Sequence, residues 1–373
     1  MRKIMMAGAA ALVLATGMAP LAVAQTPPVA SAAWQDGLFA VRTDVARGKV
    51  TARFGAPDAT GVVGRYLYQP GISAGIGMDG TGLDRSALGQ AQVVAFSVVG
   101  NRVYARFENY RYRAEGASAD EQNAVAASFA TSIVWSGDVL ERHADGSISV
   151  DLSGFLERDA VNIVSRLKRA GQGNYKPAAN LSYLEAGETL VFPENVEFQT
   201  VQTFTSEEPA ASIGRVAPDG RSLSLAIRHS FIRLPDEGFV RVSHDPRSGT
   251  SAQVLVTDFA TDLDTPVVSR LARRFRLEKT DPAAARSPVK EPIVFYVDRA
   301  APMAIRQALI EGGNWWAEAF DKAGYIDAFR VEVLPEGAHP MDARYNIIAW
   351  VHRETRGWST GTSVNDPRTG EIV

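Results

Sequence analysis

A chain of 373 residues, 46% hydrophobic and 22% charged, has the composition of a soluble globular protein of about two to three domains, which excludes wholesale disorder. Its net charge of −3 argues against nucleic acid as a partner, and the absence of cysteine excludes disulfides, thiolate metal sites and a cysteine nucleophile together. Any metal held by such a chain would need histidine and carboxylate ligands.

The first 24 residues read as a cleavable export signal. Arg2 and Lys3 form a basic start, Ile4 to Leu14 is apolar, and Ala22-Val23-Ala24 supplies the small-x-small pattern of a signal peptidase site. Removing Arg2 and Lys3 from 39 basic residues leaves 37 against 42 acidic, a net charge of −5. The expectation is an exported protein, periplasmic or extracellular, with no stable membrane anchor after cleavage. Residues 25–36 are rich in Pro, Ala and Ser and form a flexible lead-in.

From residue 37 to 280 the pattern is β-rich. Short apolar runs (Leu38 to Val41, Val50 to Phe54, Tyr66 to Tyr68, Val93 to Val99, Val103 to Phe107) predict strands, with a tight hairpin at Gly100-Asn101. Leu223, Leu225 and Ile227 alternate with polar or small neighbours, the signature of a strand with one buried face, and His229 continues that series as a structural residue. Two helices interrupt the strands. Ser118 and Glu121 form a capping box ahead of Val125 and Phe129. Ser153 opens a second helix carrying Phe155, Leu156, Ile163, Val164 and Leu167 and closing at Gly171. Both apolar stripes are expected to face a core.

Residues 281–292 (DPAAARSPVKEP) read as a linker, and an α/β texture follows over 293–373. Ile293 to Val297 is a continuous apolar strand. Pro302 stands where a helix begins, and Ile305, Leu309, Trp315, Trp316 and Phe320 lie on one helical face that stops at Gly324. Phe329 to Val333 and Tyr345 to Val351 predict two more strands, giving the order β-α-β-β.

Short motifs carry little chemistry. Gly75 to Gly80 fits G-x-G-x-x-G, but turn residues follow where a dinucleotide site needs a helix, so a flexible loop is expected. Gly357 to Gly361 fits G-x-S-x-G, yet no histidine follows Ser359. Arg270, Arg273, Arg274 and Arg276, interleaved with Leu271 and Phe275, suggest an amphipathic stretch with a solvated face. No two of His143, His229, His244, His339 and His352 have the i, i+4 spacing of a zinc helix.

Three stretches together carry a resemblance: GLDRSALG at 82–89, SRLKRAGQGNY at 165–175, and above all 293–373 with its paired Trp and repeated Gly. The chain resembles a family of bacterial exported zinc-dependent metalloproteases, in which a β-rich domain of uncharacterised role precedes a metzincin-like catalytic domain. The resemblance implies an α+β fold: the β-rich N-terminal domain, then the strand-helix-strand-strand first half of a metzincin-like domain. It implies that Thr360, Gly361, Thr362, Ser363 and Val364 form an edge strand that binds a peptide or protein substrate, with Arg356 and Trp358 shaping the cleft entrance. Zinc would be the cofactor of the intact protein, held by H-E-x-x-H on a helix. That motif is absent from these 373 residues, so no zinc site and no catalytic residue are assigned, and the chain reads as truncated and inactive by itself. Exposed apolar surface on the Trp315/Trp316 helix is a further expectation. The alternative is a non-enzymatic exported binding or structural protein built on the β-rich domain.

Overall fold

The computed structural model describes residues 33–248, 253–355, 357 and 359–373. The residues read as an export signal, most of those read as a lead-in, Arg356 and Trp358 lie outside the described residues. Among the described residues no helix is long and apolar enough to cross a membrane.

The β-rich body is built on one long antiparallel sheet. Its main strands are β1 (Ala40–Asp44), β2 (Lys49–Phe54), β3 (Val62–Ala74), β4 (Gln92–Val99), β5 (Arg102–Phe107), β6 (Ser132–Arg142), β7 (Ile148–Asp151), β8 (Asn195–Thr205) and β9 (Ser222–Ile232). They are ordered β1-β2-β7-β6-β5-β4-β3-β9-β8, with short two-residue strands along the outer edge of β8. The sheet curls until its ends meet: the Leu38 N–H donates to the Phe192 carbonyl at 2.9 Å, and a side chain on Gly37 would collide with Val191 and Phe192. The β4–β5 hairpin turns at Gly100 (φ 62°) and Asn101, where the sequence places it.

Inside the curl lie two apolar clusters. Phe39, Phe54, Tyr66, Phe96, Phe155 and Phe231 belong to one, and Ile72, Leu83, Ile163, Leu167, Phe204 and Leu225 to the other. Tyr68 of the first cluster joins Arg158, Thr200, Gln202 and His229 in a hydrogen-bonded polar group. The alternating face of β9 therefore serves both clusters, with His229 fully buried between Ile227 and Phe231. Its Nδ1 lies 2.7 Å from the Tyr68 hydroxyl, while Gln202 donates to the Arg158 carbonyl at 2.8 Å. Against the expectation of one buried face, most of β9 is buried on both sides, because the outer face is also covered.

The helices divide. Helix α1 (Ala119–Ser128) is capped by Ser118, which accepts the Glu121 N–H, but none of its residues is buried. Its predicted core stripe is instead a surface contact: Phe129 stacks on Tyr112 with centroids 3.8 Å apart. The second predicted helix is two pieces, α2 (Ser153–Leu156) and α3 (Ile163–Arg169), and both face the core. Ser153 does not cap α2; its hydroxyl accepts the Val50 N–H.

A second sheet joins β10 (Gln253–Asp258) and β11 (Val268–Ala272), with Tyr112–Arg113 pairing parallel to β10. The amphipathic stretch expected at Arg270 to Arg276 is thus strand followed by irregular chain; Arg270 is exposed and the other three arginines are engaged. Arg273 reaches Asn365, Arg274 bonds the Phe275 and Val240 carbonyls, and Arg276 pairs with Glu371 and Asp236.

The connector is tied down as well. Ser287–Pro288 pairs with Tyr325–Ile326, and the Thr280 N–H donates to the Pro288 carbonyl. Beyond it, β12 (Ile293–Val297), α4 (Met303–Asn314), α5 (Trp316–Lys322), β13 (Phe329–Val333) and β14 (Asn346–Ile348) follow in the β-α-β-β order. The sheet is parallel, ordered β13-β12-β14. Pro302 is the N-cap of α4, where its lack of an N–H costs nothing. The observed architecture is β-rich with few helices, an α+β arrangement.

Candidate functional site

The features that bring distant parts of the sequence together lie along the seam between the body and the parallel sheet. The Gly-rich loop after β3 is a loop with no helix at its end, so it lacks the geometry of a dinucleotide site. It is also not loose. Leu83 is fully buried, Met78 nearly so, and a Cβ on Gly75 would sit 2.0 Å from the Leu83 carbonyl oxygen. Glycine is required there to let the loop fold back on itself.

That loop meets the carboxyl ends of β12 and β14. Both terminal nitrogens of Arg85 lie 3.1 Å from Asp298 Oδ2, and one of them donates to the Trp350 carbonyl at 2.7 Å. Burial pushes the Asp298 carboxyl up, but the Ala300 N–H, Arg85 and the Trp350 N–H together hold it below the usual carboxylate range. Next to it, Arg353 donates to Asp84 at 2.9 Å, and the Glu354 N–H donates to the Gly77 carbonyl at 2.9 Å. Glu354 also pairs with Arg215.

At the other end of β14, the fully buried Asn195 of β8 grips the preceding loop. Its Nδ2 donates to the Met341 carbonyl at 2.8 Å, and its Oδ1 accepts the Ala343 N–H at 2.9 Å. Glu197 fixes the amide by accepting from Nδ2 at 2.6 Å, and is itself held by Arg228 and Ser230. Burial raises the Glu197 pKa against the pull of Arg228 and these hydrogen bonds.

The outer edge of β13 is closed by one side chain. The Asn314 amide donates to the Val331 carbonyl at 3.0 Å and accepts the Val331 N–H at 2.8 Å, so it pairs as a neighbouring strand would. Gly313 permits this approach, since a Cβ there would sit 2.5 Å from a Val331 methyl. The repeated glycine beside the paired tryptophans thus has a packing reason. Trp315 and Trp316 themselves stand 73% and 64% exposed.

Thr360 to Val364, predicted as a substrate-pairing edge strand, form no strand. Thr360, Gly361 and Thr362 are exposed, Ser363 and Val364 half-buried, and the Val364 carbonyl accepts the Val373 N–H at 3.0 Å. The segment lacks the alternating apolar residues that would hold it to a sheet. The chain after it closes on itself through the Asn365–Ile372 bridge and docks on Arg274. Ser359 is exposed in irregular chain, away from any strand-to-helix elbow.

The histidines are dispersed. His143 bonds Ser149, His229 bonds Tyr68, His339 lies against Phe192, and His352 lies edge-on to Trp350. Among the described residues no three His, Asp or Glu side chains group as metal ligands. The described histidines therefore do not together form a zinc ligand set.

A cavity of about 620 Å³ opens at the same seam, with Ile232, Phe275, Arg276, Ile293, Asn346 and Glu371 in its lining. Its volume suits a small ligand. Its lining charges are largely paired with each other, as in Arg276–Glu371, Arg233–Glu194 and Lys290–Glu278.

Of the three stretches that carry the resemblance, 82–89, 165–175 and 293–373, the first and last meet at this seam. The clamps at Arg85, Asn195 and Asn314 leave no short-range signal, because each partner lies far away or on another element. Comparison with known proteins gives one match: residues 86–280 correspond to the family described as a domain of unknown function, DUF5117. No curated protein and no solved structure matches the chain.

Proposed function

The chain belongs to the DUF5117 family, and from that premise we propose that it is the scaffold portion of an exported zinc-dependent metallopeptidase. In this reading the body carries the parallel β-α-β-β unit, and Thr360 to Val364 present backbone to an extended peptide substrate. The observation that carries the reading is the parallel β13-β12-β14 sheet with α4 and α5 in its β12–β13 crossover, taken with the long sequence resemblance over 293–373. Zinc-bound water would supply the nucleophile of the intact enzyme. The described residues contribute position rather than chemistry.

The test uses the product of the native gene. Chelator-sensitive cleavage of an unfolded protein substrate, restored by zinc, with an in-frame H-E-x-x-H beyond codon 373, supports the proposal. A gene product that lacks the motif and shows no chelator-sensitive cleavage overturns it. The second reading, a non-enzymatic exported binding protein, is favoured by the seam itself, where the charged groups are spent on ion pairs. Retention of a ligand by a protein without peptidase activity would select it.

A further inference from the structure

The strand β14 has only three residues and, among the described residues, a single strand partner, β12. A strand that short on a sheet edge is marginal by itself, since it forms few ladder bonds against the entropy of ordering its flanks. Yet both flanks are gripped by the β-rich body. Upstream, Asn195 bonds Met341 and Ala343; downstream, Arg85 bonds the Trp350 carbonyl and Asp298, Asp84 bonds Arg353, and Gly77 bonds Glu354. The upstream grip is preset, because Glu197, Arg228 and Ser230 fix the Asn195 amide inside the body. The downstream grip is a fork, with Arg85 donating to two acceptors at once.

The hydrogen-bond alternation gives the strand a direction. The Asp298 N–H donates to the Ile348 carbonyl at 3.0 Å, so the backbone groups of Asn346 and Ile348 face β12, and those of Ile347 face outward. The opposite edge of the sheet is closed at Val331 by Asn314.

We propose that the β-rich body, of which the DUF5117 match covers residues 86–280, is a mount for β14: it fixes the position and register of this strand from both ends. The role is carried by Asn195 and Arg85 as positioning residues, and does not depend on the peptidase reading.

Hydrogen exchange on the whole chain tests it. Arg85→Ala and Asn195→Ala should each accelerate exchange of the amides at 343–350 by roughly tenfold or more, while β8 and β9 stay protected. The double variant should add less than the product of the two, because one cut already frees the strand. Unchanged exchange at 343–350 in both single variants would overturn the proposal, as would full multiplicativity. If Asn195→Ala unfolds the body, the Arg85→Ala and Arg85→Lys pair decides: acceleration confined to 343–350, weaker in the lysine variant, upholds the mount, and acceleration spread evenly over the body refutes it.

Discussion

In the β-rich body Phe231 meets the rings of Phe39, Tyr66, Tyr68, Phe96, Phe155 and Phe198, and all but Tyr66 and Phe39 of that group are almost wholly shielded from solvent. In the C-terminal unit the closed core is Val297, Ala301 and Val331, while two tryptophans stand in solvent. One region is held by apolar burial within itself. The other leans on polar grips from its neighbour, and so is the place where single hydrogen bonds should matter most.

The largest effect should fall on the body. Phe231→Ala removes a ring from the middle of the aromatic cluster and should cost about 5 kcal/mol, read as a lower urea midpoint with loss of cooperativity. Acid should come next. Burial first, then the Arg158 charge, push His229 down to about 3. Its folded pKa lies below its unfolded value near 6.5, so the unfolded chain binds the extra proton between those two values. Stability from this group is complete above pH 6.5 and falls by roughly 4 kcal/mol as pH drops toward 3. In His229→Gln the loss of stability between pH 7 and pH 4 should shrink; an unchanged acid limb would remove His229 from the account.

In the C-terminal unit the expected effects are smaller and local. Asn314→Ala strands the N–H and carbonyl of Val331 and should cost about 1–2 kcal/mol, with faster exchange at Val331 and greater self-association through the opened β13 edge. Smallest of all, Trp315→Ser with Trp316→Ser should shift stability by no more than about 0.5 kcal/mol. Its readout is lower binding of a hydrophobic dye and less aggregation, because the change trims surface rather than core.

What could be read from residues alone divides by sequence distance, not by region. Ile293 to Val297, the Ser118 cap and the Gly100 hairpin were legible because each is decided by neighbours in sequence. The Val125/Phe129 stripe misled, since periodicity shows that two apolar residues share a face but not whether that face meets a core or a small surface stack such as Tyr112, Phe129 and Phe259. The arginines at 270–276 read as a solvated face because partners such as Asn365 for Arg273 and Glu371 for Arg276 lie more than ninety residues away. Thr360 to Val364 rested on resemblance, with no alternating pattern of their own to hold a sheet.

The fork between Arg85 and Asp298 spans 213 residues of chain. At a synthesis rate of roughly 5–20 residues per second, the Gly-rich loop is made about ten to forty seconds before its acceptor exists. Through that interval the loop can pack Leu83 beneath itself but must leave a guanidinium without its acid. Every residue of the body's two apolar clusters precedes Asp298 in the chain, so the core that Leu83 joins is complete in sequence before the acid that Arg85 pairs with.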